Sequence, residues 1–420
     1  DLWWDSIRFE VCYCLYDCLT GATYSQALRP GGRSRAIGRA RRGLERLALF
    51  ADARLRHRDL MVVRAARSVA ADKRRHDVVL DPIIDLLPDA PLVIDTVPRR
   101  YHLPDVGHLP PANLAARIVQ VLDALLETFA IDERHRQPLF DLTAQVRAEY
   151  TSQLAGYHRL FAAARPRAIL MVQNGVARSL FTAANVRGIP TAEAQHGLIG
   201  FGHPGYSYPT GVDYSRQSGL PSLFLTFSNF WSEGTYYPAG RHVVVGTDHF
   251  AAGMKFPPQG LGVIMVITAG VYHGELIALT RDFARQLPAR RIVYKLHPGQ
   301  WPDESSIRAE LADLPNVAVG SANIPAAAMM DDVTHLVAIQ STVVYEALQT
   351  GRRIVIVPRQ NYHLHADIFD RSEVTVAESP DAMANALAVP ADGGPGPLFF
   401  ERFDPVRVRA LIETELLGRP

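Results

Sequence analysis

Short apolar runs recur along the chain, each closed by a polar tip and followed by a stretch of helical spacing. In the first half they fall at 60–64, 91–95, 168–172, 190–193, 222–227 and 242–246, and in the second half at 263–268, 291–296, 316–319, 335–339 and 353–357. A strand that is apolar on both faces must be covered on both faces, and strand–helix alternation is how parallel sheets achieve that cover. The pattern therefore predicts an α/β protein built from two Rossmann-like units whose parallel sheets face a cleft. Helices are predicted over 114–129, 133–164, 275–286, 325–331, 342–350 and 404–417. At 420 residues the chain exceeds one ordinary core. Between the two strand series, 251–262 gathers Gly253, Pro257, Pro258, Gly260 and Gly262 without periodicity, as a linker does. The expected division is 1–250, 251–400 and a closing helix within 401–420. No repeat of 20–50 residues is visible, which excludes a solenoid.

Charge narrows the function classes. Charged residues make up 21% and the formal net charge is +1, so the chain lacks the phosphate-neutralising excess of a nucleic-acid binder. One basic stretch stands out: Arg29 to Arg58 holds ten arginines against Glu45 and Asp52. It reads either as a solvated helix face with Leu44, Leu47, Leu49 and Phe50 turned inward, or as a peripheral contact with the anionic inner membrane. Cys12, Cys14 and Cys18 share one apolar segment with no later cysteine to pair with, which suits a reducing compartment. No fourth ligand stands at metal spacing, so no metal site is expected. Without a signal peptide or an apolar run of spanning length, the expectation is a cytoplasmic protein.

Ligands of open parallel sheets bind beyond the carboxyl ends of the strands, so polar tips carry the weight. Three tips occur in the second half. Thr268-Ala-Gly270 offers small residues that let a phosphate approach the backbone. Lys295-Leu-His297-Pro298-Gly299 places an imidazole and one of only three lysines at a strand end. Gln340-Ser341-Thr342 opens a helix with hydroxyls, and Glu346 lies one turn further in, within reach of a ribose. Together they predict a nucleotide-phosphate site. In the first half, Gln173-Asn174-Gly175 ends one strand and Glu193-Ala-Gln195-His196-Gly197 ends the next. A long loop with His203-Pro-Gly-Tyr206 follows. Glu193 and His196 are the acid–base candidates, with His297 on the leaving-group side, while Gln173, Asn174, Gln195, His203 and Tyr206 are expected to bind substrate.

The order Gln-Asn-Gly, Glu-x-Gln-His-Gly, His-Pro-Gly-Tyr, Lys-x-His-Pro and Gln-Ser-Thr, then Tyr-Glu-Ala-Leu-x-x-Gly, resembles bacterial surface-polysaccharide glycosyltransferases of the GT-B kind. The resemblance spans roughly 165–358, with an Asp-Leu-Trp-Trp-Asp opening besides. It is greatest to enzymes using CMP-activated ulosonic acids, namely Kdo transferases and bacterial sialyltransferases. It implies a nucleotide-sugar donor such as CMP-Kdo and no separate cofactor. The implied acceptor is a saccharide or lipid-linked glycan of capsule, O-antigen or lipopolysaccharide assembly. It also implies that His297, Ser341 and Thr342 hold the CMP side, and that Glu193 and His196 face sugar and acceptor. The sequence departs from the retaining Kdo transferases, which carry an acidic nucleophile shortly after the first strand of the second unit. Here 268–275 has no carboxylate before Glu275. An inverting displacement with Glu193 as base therefore stays open. So do a nucleotide-sugar epimerase, a polyol-phosphate transferase and a non-catalytic GT-B-like assembly protein.

Overall fold

The computed structural model describes residues 4, 6–20, 48–54, 57–65, 67–68, 75–95, 113–172, 178–250, 255–268, 273–359 and 361–419. Its strands are β1 (Leu60–Arg64), β2 (Arg67–Ser68), β3 (Arg75–His76), β4 (Leu92–Asp95), β5 (Ala168–Val172), β6 (Thr191–Ala194), β7 (Leu223–Thr226) and β8 (Arg241–Val244) in the first half. The second half has β9 (Val263–Ile267), β10 (Ile292–Lys295), β11 (Val317–Gly320), β12 (Val333–Ala338), β13 (Arg353–Ile356) and β14 (Val374–Val376). Two six-stranded sheets result, ordered β4-β1-β5-β6-β7-β8 and β11-β10-β9-β12-β13-β14, with β2 and β3 as a small separate hairpin. Every pairing within the two large sheets is parallel. The chain is thus an α/β protein of two Rossmann-like units, as the alternation predicts.

The second sheet has the doubly wound dinucleotide order, which reverses between β9 and β12. The first reverses between β1 and β5. At such a reversal the flanking loops part and leave a crevice at the carboxyl edge. The strands form because their apolar runs have cover on both faces: β5, β9 and β12 are buried throughout. One face of the first sheet is covered by the 29-residue helix Arg136–Ala164 and by Arg178–Asn185. The other is covered by the C-terminal segment, where Pro405–Ala410 continues as the wide π turn Leu411–Leu416. A larger core runs from Phe224 and Trp231 of the first unit to Met265, Leu336 and Tyr345 of the second, so the two units are packed together.

One predicted helix is corrected. Residues 325–331 form only a single 3-10 turn, Ala326–Met329. Pro325 starts it, and the Val333 N–H already bonds Met330 O to launch β12, so no second turn fits despite the alanine-rich sequence. Most of the arginine-rich stretch, 29–47 and 55–56, lies outside the described residues. Among the described residues no helix is long and apolar enough to cross a membrane.

Candidate functional site

At the tip of β6 the strand alternation sends Glu193 and Gln195 to one side, and both are fully buried. Glu193 is claimed on each oxygen: Tyr206 donates its hydroxyl to Oε1 at 2.6 Å, and Tyr237 donates to Oε2 at 2.7 Å. Burial, and then the charge of Glu193, push both phenols well above their ordinary pKa, so they remain donors. The Tyr206 oxygen also lies 3.1 Å from Nδ1 of the half-buried His196. Gln195 is spent on the scaffold, accepting from Phe227 N and donating to Gly197 O.

His203 stands edge-on to Tyr206 and His196, at 4.9 and 6.2 Å between ring centres. Its Nδ1 accepts from Gly205 N. Burial pushes its pKa down to about 3, and the positive charges of His196, Arg8 and Arg178 add to the fall. The helix Arg8–Thr20 closes this side. Arg8 stacks 3.8 Å over the Tyr208 ring and donates to Ser207 O, while Arg178 lies 5.5 Å from the Phe9 ring. Two buried arginines thus flank this tip with Glu10 close to both, and Glu193 is sealed behind its tyrosines.

In the second unit the tips of β10, β9 and β12 are side by side, because those strands are neighbours. Thr268 and His297 are tied together: the His297 N–H reaches both Thr268 Oγ1 and Gln300 Oε1, and the Thr268 hydroxyl bonds Gln300. Lys295 is 3% exposed and donates to Leu296 O, and burial pushes its pKa down to about 8. Ser341 caps its own turn by accepting from Val343 N, and its N–H is taken by Nε2 of His365. Gln340, Thr342 and His297 are half-buried at the rim, whereas Glu346 is buried in its helix.

The two carboxyl edges meet. A Cβ added at Gly197 would lie 3.3 Å from Thr342 Oγ1, one at Gly202 would lie 2.6 Å from His363 O, and one at Gly200 would overlap Asp367. Both Asp367 oxygens accept from Phe201 N at 3.3 Å, and burial raises the Asp367 pKa against that bond. Tyr16 adds a strut from the N-terminal helix by accepting from Asn361 N. Two surface cavities, of about 420 and 560 Å³, lie elsewhere, one beside Asp59 and Arg419 and the other along β8 and the C-terminal helix.

The fold thus groups Glu193, Gln195, His196, His203 and Tyr206 on one edge and Thr268, Lys295, His297, Gln340, Ser341, Thr342 and Glu346 on the other. Gln173, Asn174 and Gly270 lie outside the described residues, and of Pro298 only the backbone is described, opening a 3-10 turn. Sequence reasoning missed Tyr237, Gln300, Arg8, Arg178 and the group His363, His365 and Asp367. Only the last carried a visible signal, a His-Leu-His-Ala-Asp tip after β13. No family model matches the chain, and no curated protein matches it in sequence. Among solved structures it is similar to a putative UDP-N-acetylglucosamine 2-epimerase from Listeria monocytogenes, with 11% identity and a TM-score of 0.49, covering 87% of this chain and 98% of that one. The UDP-GlcNAc 2-epimerase from Neisseria meningitidis bound to UDP-GlcNAc gives 13%, 0.44, 86% and 99%. The spinosyn rhamnosyltransferase SpnG complexed with thymidine diphosphate gives 15%, 0.46, 86% and 93%. Likeness at this level assigns no function, which rests on this chain's own side chains.

Proposed function

We propose that the chain is a GT-B glycosyltransferase that moves a sugar from a nucleotide-sugar donor, a CMP-activated ulosonic acid such as Kdo, to a saccharide or lipid-linked acceptor. Capsule, O-antigen or lipopolysaccharide assembly is the setting. The observation that carries this reading is the meeting of two carboxyl sheet edges at Gly197 and Thr342, with an imidazole on one edge and an imidazole beside hydroxyl and amide groups on the other. Parallel sheets bind ligands at such edges, and a transfer between two ligands needs one from each.

In this reading 251–400 binds the donor, 1–250 presents the acceptor and 401–420 closes the first unit. His297, Gln340 and Thr342 contact the nucleotide phosphate and Glu346 lies toward the ribose. Thr268, Lys295 and Ser341 hold the tips in place, and Lys295 adds positive charge beneath them. His196 takes the proton of the acceptor hydroxyl, and the positive charge of Arg8 and Arg178 suits an acidic sugar. The arginine-rich stretch would hold a cytoplasmic enzyme peripherally at the inner membrane.

Calorimetry with CMP and UDP tests the nucleotide site. His297→Ala is expected to weaken CMP binding about 10- to 100-fold, the range for losing one charge-assisted hydrogen bond. Unchanged affinity removes His297 from the site. Incubation with a CMP-ulosonic acid and an acceptor, beside UDP-GlcNAc alone, then separates transfer from 2-epimerisation.

A further inference from the structure

We infer that Glu193 is a positioning residue rather than a base, and that it acts through Tyr206 to hold His196 in the tautomer whose Nε2 can accept a proton. Tyr237 is the second member of the clamp. The inference rests on the reading of His196 as the group that meets the acceptor.

The derivation is an accounting of protons. Both Glu193 oxygens are occupied by phenols, at 2.6 and 2.7 Å, and the side chain is fully buried. No acceptor hydroxyl reaches it without displacing a tyrosine. Glu193 is taken as the carboxylate, the form that two phenol donors stabilise; it then only accepts, so the single Tyr206 proton is committed to Oε1. The Tyr206 oxygen, 3.1 Å from His196 Nδ1, is then left as an acceptor, and that contact forms only with a proton on Nδ1. A neutral imidazole carries one proton, so Nε2 bears the lone pair. Free imidazole side chains favour the opposite tautomer, so the protein imposes this one. Tyr237 keeps Oε2 from turning toward Tyr206, which fixes the direction of the chain. Among the described residues, the charged or titratable groups around His196 include Tyr206 and His203 in ring contact with it, Glu193 and Tyr237 behind Tyr206, and Arg8 and Arg178 beyond His203 with Glu10 near them. The neighbouring edge adds Asp367 of the second unit, bonded to Phe201.

The experiment is nitrogen-15 NMR of the imidazoles in the full-length protein at a pH where His196 is neutral, with His196→Gln used to assign its signals. Wild type is expected to show Nδ1 protonated and Nε2 bare. Tyr206→Phe should revert His196 to the Nε2-protonated form, and Tyr237→Phe should give a mixture of the two. A wild-type His196 protonated on Nε2, or a Tyr206→Phe spectrum identical to wild type, overturns the inference. If Tyr206→Phe does not fold, the wild-type tautomer still decides. The readout needs no substrate, so it can fail while nucleotide binding at His297 succeeds, and the reverse. Once turnover is measurable, Tyr206→Phe is expected to lower kcat at least tenfold with KM for the donor unchanged.

Discussion

Lys295 shows how a side chain read as a ligand takes a different place in the fold. Alternation along β10 puts it under the sheet edge, 3% exposed, where it donates to its own neighbour's carbonyl, and burial lowers its pKa from 10.5 to about 8. Below pH 8 the folded state therefore holds a cation it would rather release, at a cost of roughly 3 kcal/mol by the usual conversion of a pKa shift. Lys295→Met is expected to raise stability at pH 7 by about 1–2 kcal/mol, after subtraction of the lost hydrogen bond. Between pH 8 and 10.5 the folded wild type has shed the proton and the unfolded chain has not, so wild-type stability climbs and the advantage of the variant fades. Thermal melts at pH 7 and pH 10 check this, and an advantage that grows with pH contradicts it. The sequence made the candidates visible because Glu193, His196, His297 and Ser341 stand at strand ends. It hid their partners: Tyr237 is 44 residues from Glu193, and nothing local distinguishes Arg8 or Arg178 from any other arginine.

Among the elements, the strands were legible because two-sided burial writes itself as unbroken apolar runs such as Ala-Ile-Leu-Met-Val in β5. Helix 325–331 was misread because composition speaks for propensity and not for the space before the next strand. The loop 198–221 gave no periodic signal at all, yet it bridges the units. Gly202 marks a close approach to the backbone of the second unit. A methyl there meets the His363 carbonyl at 2.6 Å, and a backbone atom cannot swing aside as a flexible side chain can. Gly202→Ala is expected to undock the loop at a cost of about 1–3 kcal/mol, seen as faster proteolytic cutting within 198–221 and a larger radius by small-angle scattering. Gly274→Ala is the control, since an added Cβ there has nothing within 4 Å. Equal proteolysis of both variants would mean that the loop does not hold the units together.

For the whole molecule the decisive feature is that the chain returns to the first unit after completing the second. After the second sheet is complete, residues 399–402 pass beside the tips of β7 and β8, with Glu401 N bonded to Phe227 O and Thr247 N bonded to Glu401 O. Val408, Leu411, Ile412, Leu416 and Leu417 are then buried against Leu60, Val62 and Leu170 of the first sheet. Side chains of this kind contribute about 1.5–3 kcal/mol each on burial, so five of them match the whole stability of a typical domain. The second unit keeps its own core on the face where Ile264, Val266 and Tyr294 pack under Leu276 and Phe283, and none of that core comes from beyond residue 387. Truncation after Asp404 is therefore expected to unfold the first unit while 263–400 retains a cooperative transition. Calorimetry should show the full chain losing one of its heat-absorption components, and hydrogen exchange should show protection lost from β1 and β5 but kept in β9 and β12. Loss of protection from both sheets together would mean that the shared aromatic core, and not the returning helix, governs the stability of the first unit. That outcome would make the two units one folding block, and a cleft that opens between them would then have to open within a single core.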